Sequence, residues 1–201
     1  MSQKVVVCGA GFLGVFQIQF YLASRFERYG FQGSHIARSL CSSGSLVGNT
    51  RVVQLASRHP GRTYKAVSES LEEVHKERLL RPVSVDITNP ETLAPAFKEA
   101  SVIVSLVGIL HGTPEAFEQI QWRGAENVAR AAQSAGAKLI HVSAIGANSE
   151  SKLAYERTKG LGEYAVFESC PNATVIRPSI VFGPEDDFFN VSVLIPCHHH
   201  T

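Results

Sequence analysis

Three side chains in the second half of the sequence have types and spacing that could move a proton. Tyr155 and Lys159 stand at i and i+4 in Tyr155-Glu-Arg-Thr-Lys159, which puts both on one face of one helix. Ser143 lies upstream, at the end of an apolar run. A phenol with a pKa near ~10 is a poor acid or base at neutral pH. A neighbouring ammonium stabilises the phenolate and is expected to bring that pKa down toward working range. The serine hydroxyl could orient a carbonyl, and Lys159 could also hold a ribose. A lone Tyr-x-x-x-Lys is common on solvated helix faces, so its weight depends on the context that the rest of the chain supplies.

That context begins at the other end. Gly9-Ala10-Gly11-Phe12-Leu13-Gly14 is a Gly-x-Gly-x-x-Gly directly after the β-branched run Lys4-Val-Val-Val-Cys8. The first glycine permits a tight turn, the second lets backbone approach a pyrophosphate, and the third lets a helix pack close. The helix N-terminus then offers free N–H groups and partial positive charge to phosphates. Sites that prefer NAD carry a carboxylate about 20 residues further on, at the end of the second strand. Here that strand, Arg51 to Ala56, is followed by Ser57 and Arg58. An arginine there can pair with a 2′-phosphate, so NADP(H) is favoured over NAD(H); a solvated loop arginine is the plainer alternative. Asp86 and Ile87 close the third strand, where a side chain can reach an adenine. Val107 and Gly108 follow the fourth, where a glycine lets a cofactor lie close. Both pairs fall at carboxyl ends of strands, where open parallel sheets bind their ligands.

The elements that must hold these groups alternate. Short β-branched runs at 4–8, 51–55, 82–86, 101–106, 138–143 and 173–177 are separated by helical patterns. Val67, Leu71, Val74 and Leu79 lie near helical spacing. Thr113-Pro114 offers an N-cap and a first-turn proline, Phe117, Ile120, Val128, Ala131 and Ala135 keep the period, and Gly136 is a stop. Leu153 to Phe167 is the last helix. Such alternation predicts an α/β doubly wound parallel sheet, the Rossmann arrangement.

Composition excludes several classes. The chain has 201 residues and a formal net charge of +1, so no global charge draws it to nucleic acid or an anionic membrane. No stretch reaches the ~18 uncharged apolar residues of a spanning helix. The opening residues enter an apolar strand at once, which is expected to leave no room for a signal or transit peptide. Cys8, Cys41, Cys170 and Cys197 are scattered and read as buried thiols of a reducing compartment. No metal site is expected. Cys197 with His198 to His200 has the right donors for zinc but lacks a second ligand group, and His35, His59, His75, His111 and His141 read as surface or packing residues.

With Gly9, Gly11, Gly14, Ser143, Tyr155 and Lys159 in view, the chain resembles an extended or atypical short-chain dehydrogenase/reductase. The segments 104–110 (VSLVGIL), 140–147 (IHVSAIGA), 154–163 (AYERTKGLGE) and 175–190 (VIRPSIVFGPEDDFFN) narrow this further. They resemble the nucleotide-binding accessory subunit of mitochondrial complex I, and related proteins linked to ubiquinone biosynthesis. The likeness covers 4–14 and 34–190. It implies a Rossmann fold, bound NADPH, Pro178 among the cofactor contacts, and a mitochondrial, matrix-facing location; without it, a cytoplasmic location is expected. It implies a respiratory or quinone-synthesis complex as partner. In the complex I branch the nucleotide is structural although the tyrosine and lysine remain, so a catalytic and a non-catalytic reading both stand.

Two stretches depart from that pattern. Residues 15–33 separate the glycine turn from its helix, and Arg58 stands 44 residues beyond Gly14. Removing them restores the usual interval and joins Gly14 to a helical Ser34–Leu40. Residues 191–201 do not continue the family sequence. Domain organisation is therefore expected as one nucleotide-binding domain over 1–190, with 15–33 inserted, a foreign tail at 191–201 and a truncated substrate region. Both departures begin at a valine, whose codons open with the first bases of an intron, so translated introns are the expected origin. A genuine insert with an aromatic docking face is the rival; a mis-spliced, non-functional chain is the third reading.

Overall fold

The side chains of β1 (Gln3–Cys8) alternate between two apolar layers, as a strand buried on both faces must. Val6 and Cys8 face a core shared with Ile103, Val107, Leu139 and Val166, whereas Val7 packs with Ala37, Cys41, Val53 and Leu55 on the opposite side. In this computed structural model the described residues are 2–9, 31–43 and 51–182.

The remaining strands are β2 (Arg51–Ser57), β3 (Val83–Ser84), β4 (Ala100–Ser105), β5 (Lys138–Val142) and β6 (Thr174–Ile176). All pair in parallel, in the order β3-β2-β1-β4-β5-β6, so the strand order reverses between β1 and β4. The crossovers carry α1 (Phe31–Ser42), α2 (Pro60–Ser70), α3 (Glu73–Lys76), α4 (Leu93–Phe97), α5 (Pro114–Phe117), α6 (Gly124–Ser134) and α7 (Ala154–Ser169). The expected doubly wound sheet is what the chain forms. Among the described residues no helix is long and apolar enough to cross a membrane.

Local chemistry explains the boundaries. Thr113 Oγ1 accepts from the Ala116 N–H at 3.2 Å and Pro114 opens α5, as that pair of residues predicts. Gly136 ends the run beyond α6 with a φ of +66°. The pattern Val67-Leu71-Val74-Leu79 is not one helix. Leu71 leaves α2 in an extended conformation, Val74 on α3 is exposed, and Leu79 bridges to Val53 beside the sheet. Helical spacing there spanned a corner rather than a face.

Candidate functional site

Gly9 follows β1 with a φ of +89°, which a side chain would oppose, and its N–H donates to the Ala56 carbonyl at 2.8 Å. A Cβ there would stand 3.0 Å from both the backbone nitrogen and a methyl of Val107. The backbone of the first turn therefore lies directly against the segment after β4. Gly11, Phe12, Leu13 and Gly14 lie outside the described residues. The helix that packs on β1 and β2 begins at Phe31, three residues before the expected Ser34, and Gly33 and Ser34 in its first turn are buried.

The other expected residues gather at the carboxyl ends of the parallel strands. Arg58 is exposed after β2, where its carbonyl accepts from the Ser84 hydroxyl. Asp86 follows β3. The N–H and hydroxyl of Thr88 donate to its carboxylate at 2.9 and 2.8 Å and, with help from Arg58, hold it below the usual carboxylate range. Ile87 is buried; its carbonyl takes the Asn127 amide, and its side chain fills the space that a Cβ on Gly124 would need. Val107 is buried beyond β4, and Gly108 faces Lys159. Pro178 follows β6, where its carbonyl accepts from the Ile145 N–H at 2.9 Å.

The three expected proton-moving residues lie at the end of β5 and on the first turns of α7. Ser143 is buried, its N–H donates to the Ile176 carbonyl, and its hydroxyl finds no partner. Tyr155 lies in the first turn of α7, half-buried, edge-on to Phe117 with ring centroids 6.1 Å apart. Lys159, one turn on, is 5% exposed and its ammonium donates to the Val142 carbonyl at 3.3 Å. Loss of water brings that ammonium down to about 8, against the pull of Glu163 in the other direction. The phenol departs from expectation. Burial raises the Tyr155 pKa, and Lys159 does not offset it in this arrangement.

Sequence reasoning missed four polar residues around this triad. Gln121 sits on a π-helical turn, Glu118–Arg123, that joins α5 to α6; such turns often mark functional positions. Its amide donates to Thr158 Oγ1 at 3.0 Å, while its Oε1 is buried without a partner. Beneath the lysine, His141 is buried with Nδ1 3.4 Å from Ser105 Oγ, and burial reinforced by Lys159 pushes it down to about 4. Glu163 is buried one turn beyond Lys159, where Nε and a terminal amine of Arg177 bind its carboxylate. For Gln121 the available signal was a polar residue four beyond Phe117 and four before Ala125, on an otherwise apolar stripe; for Glu163 it was a carboxylate four beyond Lys159. Among the described residues no cluster of His, Cys, Asp and Glu could hold a metal. Cys197 and His198 to His200 lie outside the described residues.

Comparison with known proteins agrees with this geometry. Residues 32–179 match the NAD(P)H-binding family. The chain belongs to that family. It is 30% identical over 171 residues to NADH dehydrogenase [ubiquinone] 1 alpha subcomplex subunit 9, mitochondrial, of Dictyostelium discoideum, covering 84% of this chain and 45% of that protein. It is likewise 30% identical over 158 residues to a ceramide reductase of Caulobacter vibrioides, covering 78% of this chain and 45% of that one. The chain thus spans about half the length of these relatives. Its fold superposes on UDP-glucuronic acid 4-epimerase from Bacillus cereus in complex with NAD, with a TM-score of 0.63, 18% identity and coverage of 92% and 59% of the two chains. Triphenylmethane reductase of Citrobacter sp., complexed with NADP(H), gives 0.56 at 16% identity, covering 89% and 50%.

The residues present fit a dinucleotide. Gly9 and Gly108 let Val107 and Lys159 come close at two strand ends where a side chain would intrude, and among the described residues Ser143 Oγ and Gln121 Oε1 are buried without a hydrogen-bond partner. This is an NAD(P)H-binding domain of Rossmann type.

Proposed function

We propose that the chain is the nucleotide-binding half of an NADP(H)-dependent protein of the short-chain dehydrogenase/reductase class. The observation that carries this is the buried Lys159, packed against Gly108 and one turn from Tyr155. In this reading Gly9 and Gly11, with either Phe12-Leu13-Gly14 or Phe31-Gln32-Gly33, form the pyrophosphate turn, Asp86 and Ile87 flank the adenine, and Val107, Gly108 and Pro178 border the nicotinamide end. Arg58 is exposed where a 2′-phosphate would sit, and no carboxylate ends β2; both features support NADP(H) over NAD(H). Titrating the protein with NADPH and NADH, followed by nucleotide fluorescence, tests the preference, and Arg58→Ala should erase it.

The chemistry follows from the side chains. A bound nicotinamide supplies or accepts the hydride. Tyr155 Oη gives a proton to the oxygen of a reduced carbonyl, or takes it in the reverse direction. Lys159 holds the ribose from one turn further along the same helix. Ser143, with its hydroxyl uncommitted, aligns the carbonyl.

A second reading has its own support. Burial leaves the Tyr155 phenol above its ordinary range, which suits a tyrosine that is not a base. The Dictyostelium relative is named as a subunit of NADH dehydrogenase, so a non-catalytic nucleotide holder in a mitochondrial respiratory assembly is the alternative. The Caulobacter relative is named as a reductase, which supports catalysis. Tyr155→Phe in the full-length protein separates them: unchanged assembly with unchanged redox output sinks the catalytic reading, and lost output from a folded protein sinks the structural one.

The interrupted glycine turn has a specific resolution. Gly30-Phe31-Gln32-Gly33 repeats the Gly-Phe-x-Gly spacing of Gly11-Phe12-Leu13-Gly14, and the family match opens at Gln32. Removing 12–30 leaves a Gly-x-Gly-x-x-Gly as intact as removing 15–33 does. Buried in the first turn of α1, Gly33 is thus placed to serve as the third glycine of the chain as it stands. Transcripts sequenced across Gly14–Ser34 and past Asn190 test whether the insert and the 191–201 tail come from introns.

A further inference from the structure

Lys159 is buried in a place where water does little to keep it charged. Four elements surround it. Gln121 approaches from the π-helical turn, Gly108 lies beyond β4, and β5 offers the Val142 carbonyl with His141 beneath. On its own helix Tyr155 precedes it and Glu163 follows it, each by one turn. Among the described residues, the phenol beside it is uncharged at neutral pH and His141 is held neutral by burial, leaving Glu163 as the anion that acts on it.

Glu163 is itself 6% exposed, so its charge also needs support. Arg177, just past β6, supplies it: Nε stands 2.9 and 3.1 Å from the two carboxylate oxygens, and a terminal amine bonds one of them. The guanidinium is half-exposed and keeps contact with solvent on its outer side. The guanidinium thus pairs the buried carboxylate through two of its nitrogens, which offsets the cost of burying its charge. Lys159 and Glu163 stand one turn apart on α7 and Arg177 closes on Glu163 from the solvent side, so the three charges run from the sheet interior toward the surface with the carboxylate in the middle.

We infer that Glu163, fixed by Arg177, is a positioning residue that keeps the Lys159 ammonium charged at the nucleotide site. This rests on the nucleotide reading for its purpose, though not for its physics. Arg177 acts through Glu163, to which it is bound, and Glu163 acts through Lys159 one turn away.

The test labels lysine side chains with 13C at the ε-carbon and follows their titration by NMR in the whole chain. The Lys159 signal is the one missing from Lys159→Arg. Glu163→Gln should lower its midpoint by about one pH unit, because a buried neighbouring charge is worth roughly that much; Glu163→Asp should retain most of the wild-type value. NADPH affinity measured from pH 6 to 9 should lose its alkaline limb about one unit earlier in Glu163→Gln. An unmoved midpoint in folded Glu163→Gln overturns the inference, as does a moved midpoint with an unmoved affinity profile. If Glu163→Gln does not fold, the double variant Glu163→Gln/Arg177→Met removes both charges without stranding either, and its midpoint is judged in the same way. A wild-type chain that binds no NADPH refutes the nucleotide reading instead, and the midpoint then still decides whether Glu163 sets the charge.

Discussion

A Cβ placed on Gly108 would stand 3.0 Å from the Nζ of Lys159 and 3.4 Å from the Oε1 of Gln121. The glycine beyond β4 and the lysine of α7 thus share one small space, and anything added to the first must displace the second. Lys159 is the far end of a flexible chain, so the fold itself has little to lose. Gly108→Val should leave the denaturation midpoint within about 1 kcal/mol of wild type, since only a side-chain tip is moved. NADPH affinity should fall by at least tenfold, measured by fluorescence titration. Equal affinity would show that Lys159 does not hold the nucleotide.

The depressed Lys159 has a definite pH signature. Its folded pKa, about 8, lies below the ordinary lysine value of 10.5, so the unfolded chain binds more protons between those values. Stability should accordingly rise with pH across that window, while it carries a constant penalty below it. Function moves the opposite way. If the ammonium donates to the ribose, NADPH affinity should be level below pH 8 and decline above it. Lys159→Met should flatten both dependences; a wild-type affinity level up to pH 9.5 would contradict the assignment.

His141 provides the acid counterpart. Burial keeps the imidazole neutral, with its pKa at about 4 instead of 6.5. Between those values only the unfolded chain binds the proton, so stability should fall as the pH drops from 6.5 toward 4. The full loss is roughly 3 kcal/mol at 1.36 kcal/mol per unit. Urea midpoints at pH 7 and pH 4.5 would measure most of it. In His141→Gln the same comparison should give a much smaller difference, and an equal difference would show that His141 does not set the acid limb.

Glycine position decides the next case. Gly33 is buried in the first turn of α1, and the helix it opens packs Ala37 and Cys41 against Val7, Val53 and Leu55. With Gly33 as the working third glycine, Gly33→Val should abolish NADPH binding, whereas Gly14→Val in the same chain should change it less than twofold. Deleting 12–30 should leave a folded protein that binds at least as tightly. The reverse pattern for the two valine variants would return the role to Gly14.

Much of this site could be read from residue order because parallel sheets concentrate function at one edge. Gly9, Asp86, Gly108, Ser143 and Tyr155 were each found as the residue just after an apolar run, or one turn into the helix beyond it. What escaped was chemistry set by burial. Nothing in Tyr155-Glu-Arg-Thr-Lys159 says that the phenol would lose more from desolvation than the ammonium returns to it. Nor does the order of residues show that His141 would be buried opposite Ser105, because that depends on the pairing of β5 with β4. The corner at Leu71 was invisible for a similar reason: Val53 takes Leu79 as a neighbour, and that contact ends the helical run. Gln121 lies between these cases. Its polarity on an apolar stripe was visible, but the π-helical turn that aims it was not.

The two glycines of α7 yield the most direct test of how that helix reaches the triad. A Cβ on Gly162 would run into the carbonyl oxygen of Gln121, and one on Gly160 into the backbone of Asn148 and Ser149. Replacing a mid-helix glycine by alanine ordinarily gains about 1 kcal/mol of helix propensity. Here the obstacle is backbone, which cannot swing aside, and overpacking costs about 1–3 kcal/mol or more. The cost should win, so Gly162→Ala and Gly160→Ala are expected to lower stability despite the better propensity. Gly61, in α2, has nothing within 4 Å of its would-be Cβ and is the natural control. Gly61→Ala should stabilise the chain by roughly 0.5 kcal/mol. Denaturant midpoints of the three variants settle the matter: if Gly162→Ala is as stable as Gly61→Ala, α7 does not lie against the π-helical turn, and Lys159 is not held as described.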